Sequence, residues 1–231
     1  MSGPTREQLQ AAYGTTVPDL VGPGLAVLLC GINPSLWSGV VGHHFANSSN
    51  RLWPTLHASG WTPRRLLPSE TGDLLAAGLG ITNLVARATA RADELTDDEL
   101  RAGLGRLQTL AADVRPAWVA FLGLGSYRTA TGDRRAQVGP QERTVGGARV
   151  WLLPNPSGLN ASWQLPRLAE AYAALREASG EGRAAAREAE HGQERQERQR
   201  RQRDVDPGDD LGGGVEPRPA QTPAGGLDLP A

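Results

Sequence analysis

Four short apolar runs, separated by segments of helical period, constrain the fold of this 231-residue chain more than any other feature. The runs are Leu25–Cys30, Gly80–Val85, Ala117–Leu124, and Arg149–Leu153 with the residues that precede it, and each has the length and composition of a buried strand. Strands that alternate with helices form a parallel sheet whose crossover helices cover both faces. We therefore predict an α/β fold: a three-layer single domain with a short, largely parallel sheet of four to five strands flanked by helices.

The segments between the strands predict the helices of the outer layers. They are Asn50–Ser59, Pro68–Gly78, Thr96–Val114 and, after the fourth strand, Leu165–Glu177. The signal is clearest at Thr96, where Glu99 three residues later completes a capping box and leucines recur every three or four residues. Ligands of such folds bind at the carboxyl ends of the strands, so the loops that follow the strands are where function is expected.

The composition changes after residue 178. Residues 179–231 contain two valines, three leucines and no aromatic residue, which is too little apolar surface to offset the entropy of an ordered chain. We therefore predict an N-terminal extension over residues 1–21, one folded domain over residues 22–178 and a disordered low-complexity tail over residues 179–231.

Charge and metal-ligand content exclude several classes of protein. The formal net charge is −1, and residues 1–178 carry 16 arginines against 14 carboxylates, which excludes a strongly electrostatic nucleic-acid binder but leaves room for a local basic patch. Cys30 is the only cysteine, which rules out a disulfide framework and fits a reducing compartment. His43 and His44 are adjacent, would point in different directions and have no third ligand nearby, so no metal site is predicted.

No segment has the roughly 20 apolar residues of a membrane span and the start has no signal-peptide core, so we expect a soluble cytoplasmic protein.

Asparagine–proline pairs follow two of the predicted strands. "GINPS" at Gly31–Ser35 ends the first strand, and "NPSGLNA" at Asn155–Ala161 follows the fourth. Proline is unfavourable in a central strand, so each pair ends its strand and sets the direction of the loop. Each pair alone is typical of an ordinary turn, but two at the same edge of one sheet favour a functional site.

These two loops and the run "FANSSNRLW" from Phe45 to Trp53 resemble the signature motifs of the mismatch-specific uracil-DNA and thymine-DNA glycosylases, a branch of the uracil-DNA glycosylase superfamily. The resemblance extends from about Pro23 to Glu177, with the motifs in the family's order. It implies an enzyme that flips uracil, or a related base, out of mismatched double-stranded DNA and hydrolyses its N-glycosidic bond. It also implies a monomer whose partner is DNA with U:G or related mismatches, with no cofactor, no metal, no membrane and no obligate protein partner.

By this resemblance the first loop carries the reaction. The carbonyl oxygen of Asn33 holds the attacking water, Phe45 stacks on the flipped base, and Ile32 offers a backbone donor to that base. Ser35 stands where the family has glycine. The pocket should therefore remain open at C5 of the pyrimidine, though less than with glycine.

The loop after the fourth strand is implied to contact the DNA. Leu159 is the wedge that fills the gap left by the flipped base, and the alternative is a buried anchor of the loop. The other DNA-binding residues are Asn155, Ser157, Gly158 and Asn160. Asn160 and Ala161 replace the Ser-Arg of the family, and the missing arginine should weaken reading of the unpaired guanine.

Asp93 follows the second strand and is the second candidate for catalysis. An amide at Asn33 can position water but is a poor base, so a carboxylate at the same edge of the sheet could polarise the water or stabilise the sugar cation. The alternative is that Asp93, with Glu94, Asp97 and Asp98, only stabilises the start of the next helix. The residues themselves favour neither alternative.

Two other functions are compatible with parts of the sequence. A catalytically weak damage- or mismatch-binding protein on the same fold would explain the departures at Ser35, Asn160 and Ala161. A small-molecule enzyme that binds a nucleotide phosphate is favoured only by the glycines of Phe121–Ser126, which lack the third glycine and the lysine of phosphate-binding loops. The intact motifs of the first loop favour the glycosylase.

Overall fold

The computed structural model describes residues 3–180, and a five-stranded sheet forms the centre of this part of the chain. The strands are β1 (Val27–Gly31), β2 (Leu79–Asn83), β3 (Trp118–Leu122), β4 (Gly139–Val145) and β5 (Ala148–Leu153). Their order is β2-β1-β3-β5-β4, and all neighbours are parallel except β4 and β5. The predicted α/β fold is confirmed. Apart from its first two residues, the predicted disordered tail lies outside the described residues.

Seven helices cover the sheet within the described residues. They are α1 (Arg6–Ala11), α2 (Leu36–Val41), α3 (Leu52–Ala58), α4 (Thr71–Ala76), α5 (Asp97–Val114), α6 (Leu124–Thr131) and α7, described over residues 165–180. Each predicted helix is present, and Thr96 caps α5 together with Glu99 as predicted. The sequence analysis does not predict α1, α2 and α6, which are six to eight residues long. None of the helices in residues 3–180 is both long and apolar enough to cross a membrane.

The two faces of the sheet are buried in two separate apolar layers. Successive side chains of a strand point to opposite faces, so Leu28 and Val119 pack with α5 and α6, whereas Leu29 and Ala120 pack with α3 and α7. Every residue of β1, β2 and β3 is buried, since both faces are covered. This double burial explains why the central strands are visible in the sequence as continuous apolar runs.

The third strand is shorter than predicted. The sequence predicts a strand through Leu124, but β3 ends at Leu122. Gly123, with a φ of +144°, turns the chain there, and α6 begins one residue later. The glycine-rich stretch Phe121–Ser126 is therefore the end of a strand followed by the first turn of a helix.

The edge strand β4 (Gly139–Val145) is absent from the sequence prediction. Most of its residues are at least partly exposed and polar, so it lacks an apolar run. It is joined to β5 by Gly146 and Gly147, both with positive φ, and a Cβ at Gly146 would lie only 2.4 Å from the carbonyl oxygen of Gln108 in α5. The Gly-Gly pair is the hairpin signal that the apolar pattern does not provide.

The N-terminal extension packs on the domain over its described residues. Ala12 and Val17 are buried. Leu20 and Ile81 exchange two backbone hydrogen bonds of 2.8 Å, so the segment before β1 covers the outer edge of β2. An otherwise open edge of the sheet is thereby closed.

Candidate functional site

A cleft of about 440 Å³ opens at the carboxyl ends of β1, β2 and β3. β1 lies between β2 and β3 in the sheet, and open α/β sheets bind ligands where the chain connections diverge to the two sides. The lining includes Ile32, Asn33, Ser35, Phe45, Asp93, Asn155, Ser157, Gly158 and Leu159. The candidates from three separate loops therefore meet in one site, whereas Asn160 does not line it.

Two hydrogen bonds hold the side-chain amide of Asn33 just beyond β1. Its Nδ2 donates to the carbonyl oxygen of Arg87 at 3.0 Å and to Oγ1 of Thr89 at 2.7 Å. Thr89 Oγ1 in turn donates to the carbonyl oxygen of Arg91 at 2.7 Å, so it accepts from Asn33. Both amide hydrogens are used in this way, and Oδ1 is the atom that Asn33 can offer to a water in the cleft. An aspartate here would place a carboxylate oxygen against the Arg87 carbonyl.

The loop that supplies these acceptors is anchored on α5. Arg87 donates to the carboxylate of Glu99 from Nε at 2.5 Å and from Nη2 at 3.0 Å. Glu99 also accepts from the backbone N–H of Thr96 at the start of α5. The Arg87 guanidinium, with the N–H of Thr96, lowers the pKa of the Glu99 carboxyl to about 2. The position of Asn33 thus depends on a bidentate ion pair that lies outside the cleft lining.

Asp93 lies in a short 3-10 turn before α5 and lines the same cleft as Asn33. Its carboxylate is paired with Arg91, whose Nε is 3.0 Å from Oδ1 and whose Nη2 bonds to Oδ2. The start of α5 is capped by Thr96 and Glu99 instead, so the hydrogen bonds at that helix start do not involve Asp93. The side chains of Arg91 and Asp93 are both more than half exposed, so a ligand can reach this pair. A catalytic role for Asp93 stays a prediction.

The floor of the cleft is built around Gly31, the last residue of β1. A Cβ at Gly31 would lie 2.4 Å from Oδ1 of Asn83 and 2.9 Å from Cζ of Phe45, so a larger residue would displace these side chains. Phe45 is half-buried with a φ of +51°, and its carbonyl oxygen accepts a hydrogen bond from Nε1 of Trp53 at 3.2 Å. An aromatic ring and a side-chain amide therefore meet at the floor of a cleft whose volume is within the usual range of small-molecule sites.

Asn83 is a site residue that the sequence reasoning missed. It is the last residue of β2, is 4% exposed and lines the cleft. Its Nδ2 lies 3.2 Å from Nδ1 of the buried His44, whose Nε2 is 2.9 Å from the carbonyl oxygen of Pro18. The signal that could have found it is a polar side chain at the end of an apolar strand, as at Asn33.

Ile32 and Ser35 complete the first loop. The Oγ of Ser35 accepts a hydrogen bond of 3.2 Å from the backbone N–H of Ser38 and thereby caps α2. The side chain of Ile32 packs against the apolar layer under α5 and α6. Both residues line the cleft, and their contacts with a base stay predictions.

The loop after β5 is a hydrogen-bonded turn that exposes one apolar side chain. Asn155 Oδ1 accepts from the backbone N–H of Ser157 at 3.0 Å, and Asn160 Nδ2 donates to the carbonyl oxygen of Asn155 at 3.0 Å. Arg51 donates to the carbonyl oxygens of Ser157 and Asn160. Leu159 is 94% exposed, so the alternative of a buried loop anchor is wrong.

Close packing also explains the glycine in this loop. A Cβ at Gly158 would lie 2.5 Å from the carbonyl oxygen of Ser49, which belongs to the loop that follows Phe45. The loops after β1 and β5 therefore approach each other at Gly158. This contact places the exposed Leu159 at the cleft.

Two other sequence interpretations can be compared with the structure. Among residues 3–180, no three side chains of His, Cys, Asp and Glu lie close enough together to hold a metal ion. The glycine-rich stretch Phe121–Ser126 contributes only Leu122 to the lining of the cleft. Its position therefore does not favour a phosphate-binding loop.

Comparison with known proteins agrees with this site. The chain matches the family model of the uracil DNA glycosylase superfamily over residues 18–177, and it belongs to that superfamily. Its fold also matches the solution NMR structure of a "putative Uracil DNA glycosylase" from Methanosarcina acetivorans. That match has a TM-score of 0.52 at 16% identity and covers 71% of this chain and 98% of that chain, which shows a shared fold. Membership of the superfamily supports DNA glycosylase activity in general.

Proposed function

We propose that this protein is a monofunctional DNA glycosylase that flips uracil, and related pyrimidines, out of mismatched double-stranded DNA and removes them by hydrolysis, initiating base excision repair. One observation carries the proposal: Asn33, with only its carbonyl oxygen free for a water, shares a cleft of about 440 Å³ with Phe45 and Asn83. We further propose that the enzyme works as a cytoplasmic monomer.

The reaction breaks the bond between C1′ of the deoxyribose and N1 of uracil. In the transition state the sugar is oxocarbenium-like, and negative charge grows on the departing base, so little basicity is needed from the protein. The water held by Asn33 Oδ1 adds to C1′ and gives up a proton, while the bonding pair leaves with uracil, which takes up a proton afterwards. Asp93 stabilises the sugar cation or accepts the proton of the water.

The floor of the cleft recognises the base. Stacking on Phe45 contributes about 1–3 kcal/mol and is tolerant of the kind of base. Oδ1 of Asn83 accepts from the N3–H of uracil, which is the group that uracil presents and cytosine lacks. Ser35 is small and its Oγ is hydrogen-bonded at the start of α2, so the C5 methyl group of thymine can enter the cleft. Because serine leaves less room there than glycine would, thymine is a slower substrate than uracil.

The loop after β5 opens the duplex. Leu159 is almost fully exposed and fills the space that the flipped nucleotide leaves in the stack. Extruding a base costs a few kcal/mol, and least where the base is already mispaired. Mismatched uracil is therefore preferred over paired uracil before any contact with the opposite base is considered.

A cleavage panel tests the proposed function. One labelled sequence would carry U opposite G, U opposite A, T opposite G, or single-stranded U, and alkali would reveal the abasic product. We expect the fastest base release from the U:G duplex and slower release from U:A and T:G. Asn33→Ala protein prepared in parallel controls for contaminating glycosylases.

The panel also distinguishes the glycosylase from the second candidate, a damage-binding protein. Tight retention of the U:G duplex without release of free uracil would favour a damage-binding protein on the same fold. A protein that binds none of these substrates and releases no base from them would contradict both proposals.

A further inference from the structure

Arg51, the residue immediately before α3, binds the loop after β5 through its backbone and its side chain. Its N–H donates to the carbonyl oxygen of Pro156 at 2.9 Å. Nη2 of its guanidinium donates to the carbonyl oxygens of Ser157 and of Asn160, the latter at 2.9 Å. Ser157 and Asn160 lie before and after Leu159 in the chain, so one side chain holds the loop on both sides of the exposed leucine.

The contacts of Arg51 are not those of a stabilising ion pair. Among residues 3–180 no salt bridge includes this arginine, and its partners are neutral oxygens. Nη1 lies 3.3 Å from Oε1 of Gln164, and Nε is buried without a hydrogen-bond partner in this part of the chain. A partly buried charge that is incompletely paired costs free energy. Stability alone therefore does not account for a guanidinium at this position.

The start of α3 also holds the aromatic ring of the cleft. Trp53 is 4% exposed, and its Nε1 donates to the carbonyl oxygen of Phe45 at 3.2 Å. Leu52, between Arg51 and Trp53, is fully buried in the apolar layer under α3 and α7, so close packing leaves the backbone little freedom here. Phe45 and the loop that carries Leu159 are thus fixed to the same short stretch of chain.

We propose that Arg51 is a positioning residue for base flipping: it holds Leu159 at a set place relative to the ring of Phe45. The inference rests on the proposed function and deepens it, because Leu159 must enter the stack at the step from which the base departs to Phe45. A planar guanidinium binds two carbonyl groups at once in a fixed geometry, unlike a flexible side chain with one donor atom. The loop is therefore ordered before DNA is bound, and less binding energy is spent on ordering it.

The test follows unstacking of the base rather than its release. 2-Aminopurine beside a 2′-fluoro-substituted deoxyuridine opposite guanine gains fluorescence when the base leaves the stack. The fluorine prevents cleavage because it destabilises the oxocarbenium-like transition state. Full-length wild-type protein is compared with Arg51→Met, which removes the charge and every side-chain donor, with Leu159→Ala and with the double variant.

Arg128→Met is the matched control for Arg51→Met. Arg128 also donates from its guanidinium to a backbone carbonyl oxygen, that of Ala136, at 3.1 Å from Nε and 2.6 Å from Nη2. It lies outside the lining of the cleft. Its substitution removes the same charge and the same kind of contact, and it should leave unstacking unchanged.

We expect Arg51→Met to lower the equilibrium constant for unstacking about fivefold, as Leu159→Ala does, because a misplaced wedge fills the gap no better than a truncated one. In the Leu159→Ala background Arg51→Met should have little further effect, because no wedge remains to be positioned. The salt dependence of duplex affinity should keep its wild-type slope in Arg51→Met, since a positioning residue binds no phosphate itself.

Three results would overturn the inference. They are a folded Arg51→Met protein that unstacks the base as well as wild type, a loss that adds fully to that of Leu159→Ala, and a salt slope reduced by about one, which would make Arg51 a direct phosphate contact. Should Arg51→Met fail to fold, Arg51→Lys decides, because it keeps the charge but lacks the planar pair of donors. It should unstack the base about twofold less well, and unstacking at the wild-type level contradicts the inference.

The same duplexes separate this inference from the proposed function. Wild-type protein that unstacks the substituted base but releases no uracil from the unsubstituted U:G duplex contradicts the proposed function alone. Wild-type protein that does neither contradicts both.

Discussion

The floor of the cleft and the loop after β5 are neighbours built in opposite ways. At the floor, Asn83 and His44 are buried, and the amide has a defined hydrogen-bond partner. In the loop, the backbone is held from behind by Arg51, while Leu159 is 94% exposed. One region has its polar atoms arranged before a ligand arrives, and the other displays an apolar side chain that contacts little of its own protein.

On the proposed function, this difference corresponds to two different tasks. Stabilising charge as a bond breaks requires polar groups that do not have to reorganise, so their partners must be internal. Holding open a base step requires apolar surface that is buried only when DNA is bound. Substitutions at the floor and the adjoining Asn33 should therefore change turnover, and substitutions in the loop should change duplex binding.

The largest effect is expected for Asn33→Ala. Removing the amide leaves the attacking water without its acceptor, and misplacing a reactant by about 1 Å can slow a reaction roughly 100-fold. Single-turnover release of uracil from a U:G duplex should fall by that order, with duplex affinity nearly unchanged in a gel-shift assay. Equal losses in binding and turnover would instead make Asn33 a structural turn residue.

Asp93→Ala should have the next largest effect. Removing a carboxylate that assists the water or the sugar cation should lower turnover by at least about tenfold, while duplex affinity stays the same or improves as a negative charge near phosphates disappears. The double variant with Asn33→Ala should lose less than the two single losses combined, because both groups act on the same centre.

Asp98→Ala is the matched control for Asp93, because it removes the same charge from α5 outside the cleft lining. It should leave turnover unchanged. Full turnover of Asp93→Ala with only a lower melting temperature would assign Asp93 a purely structural role.

Leu159→Ala should weaken duplex binding about fivefold, because less apolar surface enters the stack. Its melting temperature should match wild type, since the side chain is almost fully exposed in the free protein. Fluorescence anisotropy with a U:G duplex measures the affinity. Leu67→Ala, at a leucine 63% exposed and outside the cleft lining, should leave affinity unchanged. A lower melting temperature for Leu159→Ala with unchanged affinity would show that the loop is not the wedge.

The smallest effect is expected for Glu99→Gln, which acts on the anchor behind Asn33. The pKa of this carboxyl is depressed from 4.5 to about 2, so its ion pair with Arg87 stabilises the fold above pH 4.5 and is lost as the pH falls toward 2. The difference in the free energy of unfolding between wild type and Glu99→Gln should shrink over that interval in urea titrations. A difference independent of pH would mean that the ion pair contributes nothing measurable.

Much of the fold could be predicted because the central strands are buried on both faces. That burial requires continuous apolar runs, and these are visible without knowledge of any contact. The edge strand β4 was not predicted, because it is polar and exposed and lacks an apolar run. Its pairing with β5 depends on the hairpin and on the neighbouring helix α5. The capping box at Thr96 was predictable because it depends only on residues three apart.

The sequence alone determined which loops meet at the carboxyl edge of the sheet and which side chains they bring there: Asn33, Phe45, Asp93 and Leu159. Tertiary structure alone decided which hydrogen-bond partners the polar side chains of the cleft have. The carbonyl of Arg87 accepts from the Asn33 amide, Arg91 pairs with Asp93, and the Asn83 amide contacts the ring of His44. Apolar periodicity records burial along the chain, whereas a hydrogen bond depends on the direction of a donor on another loop, and that direction exists only once the loops have packed.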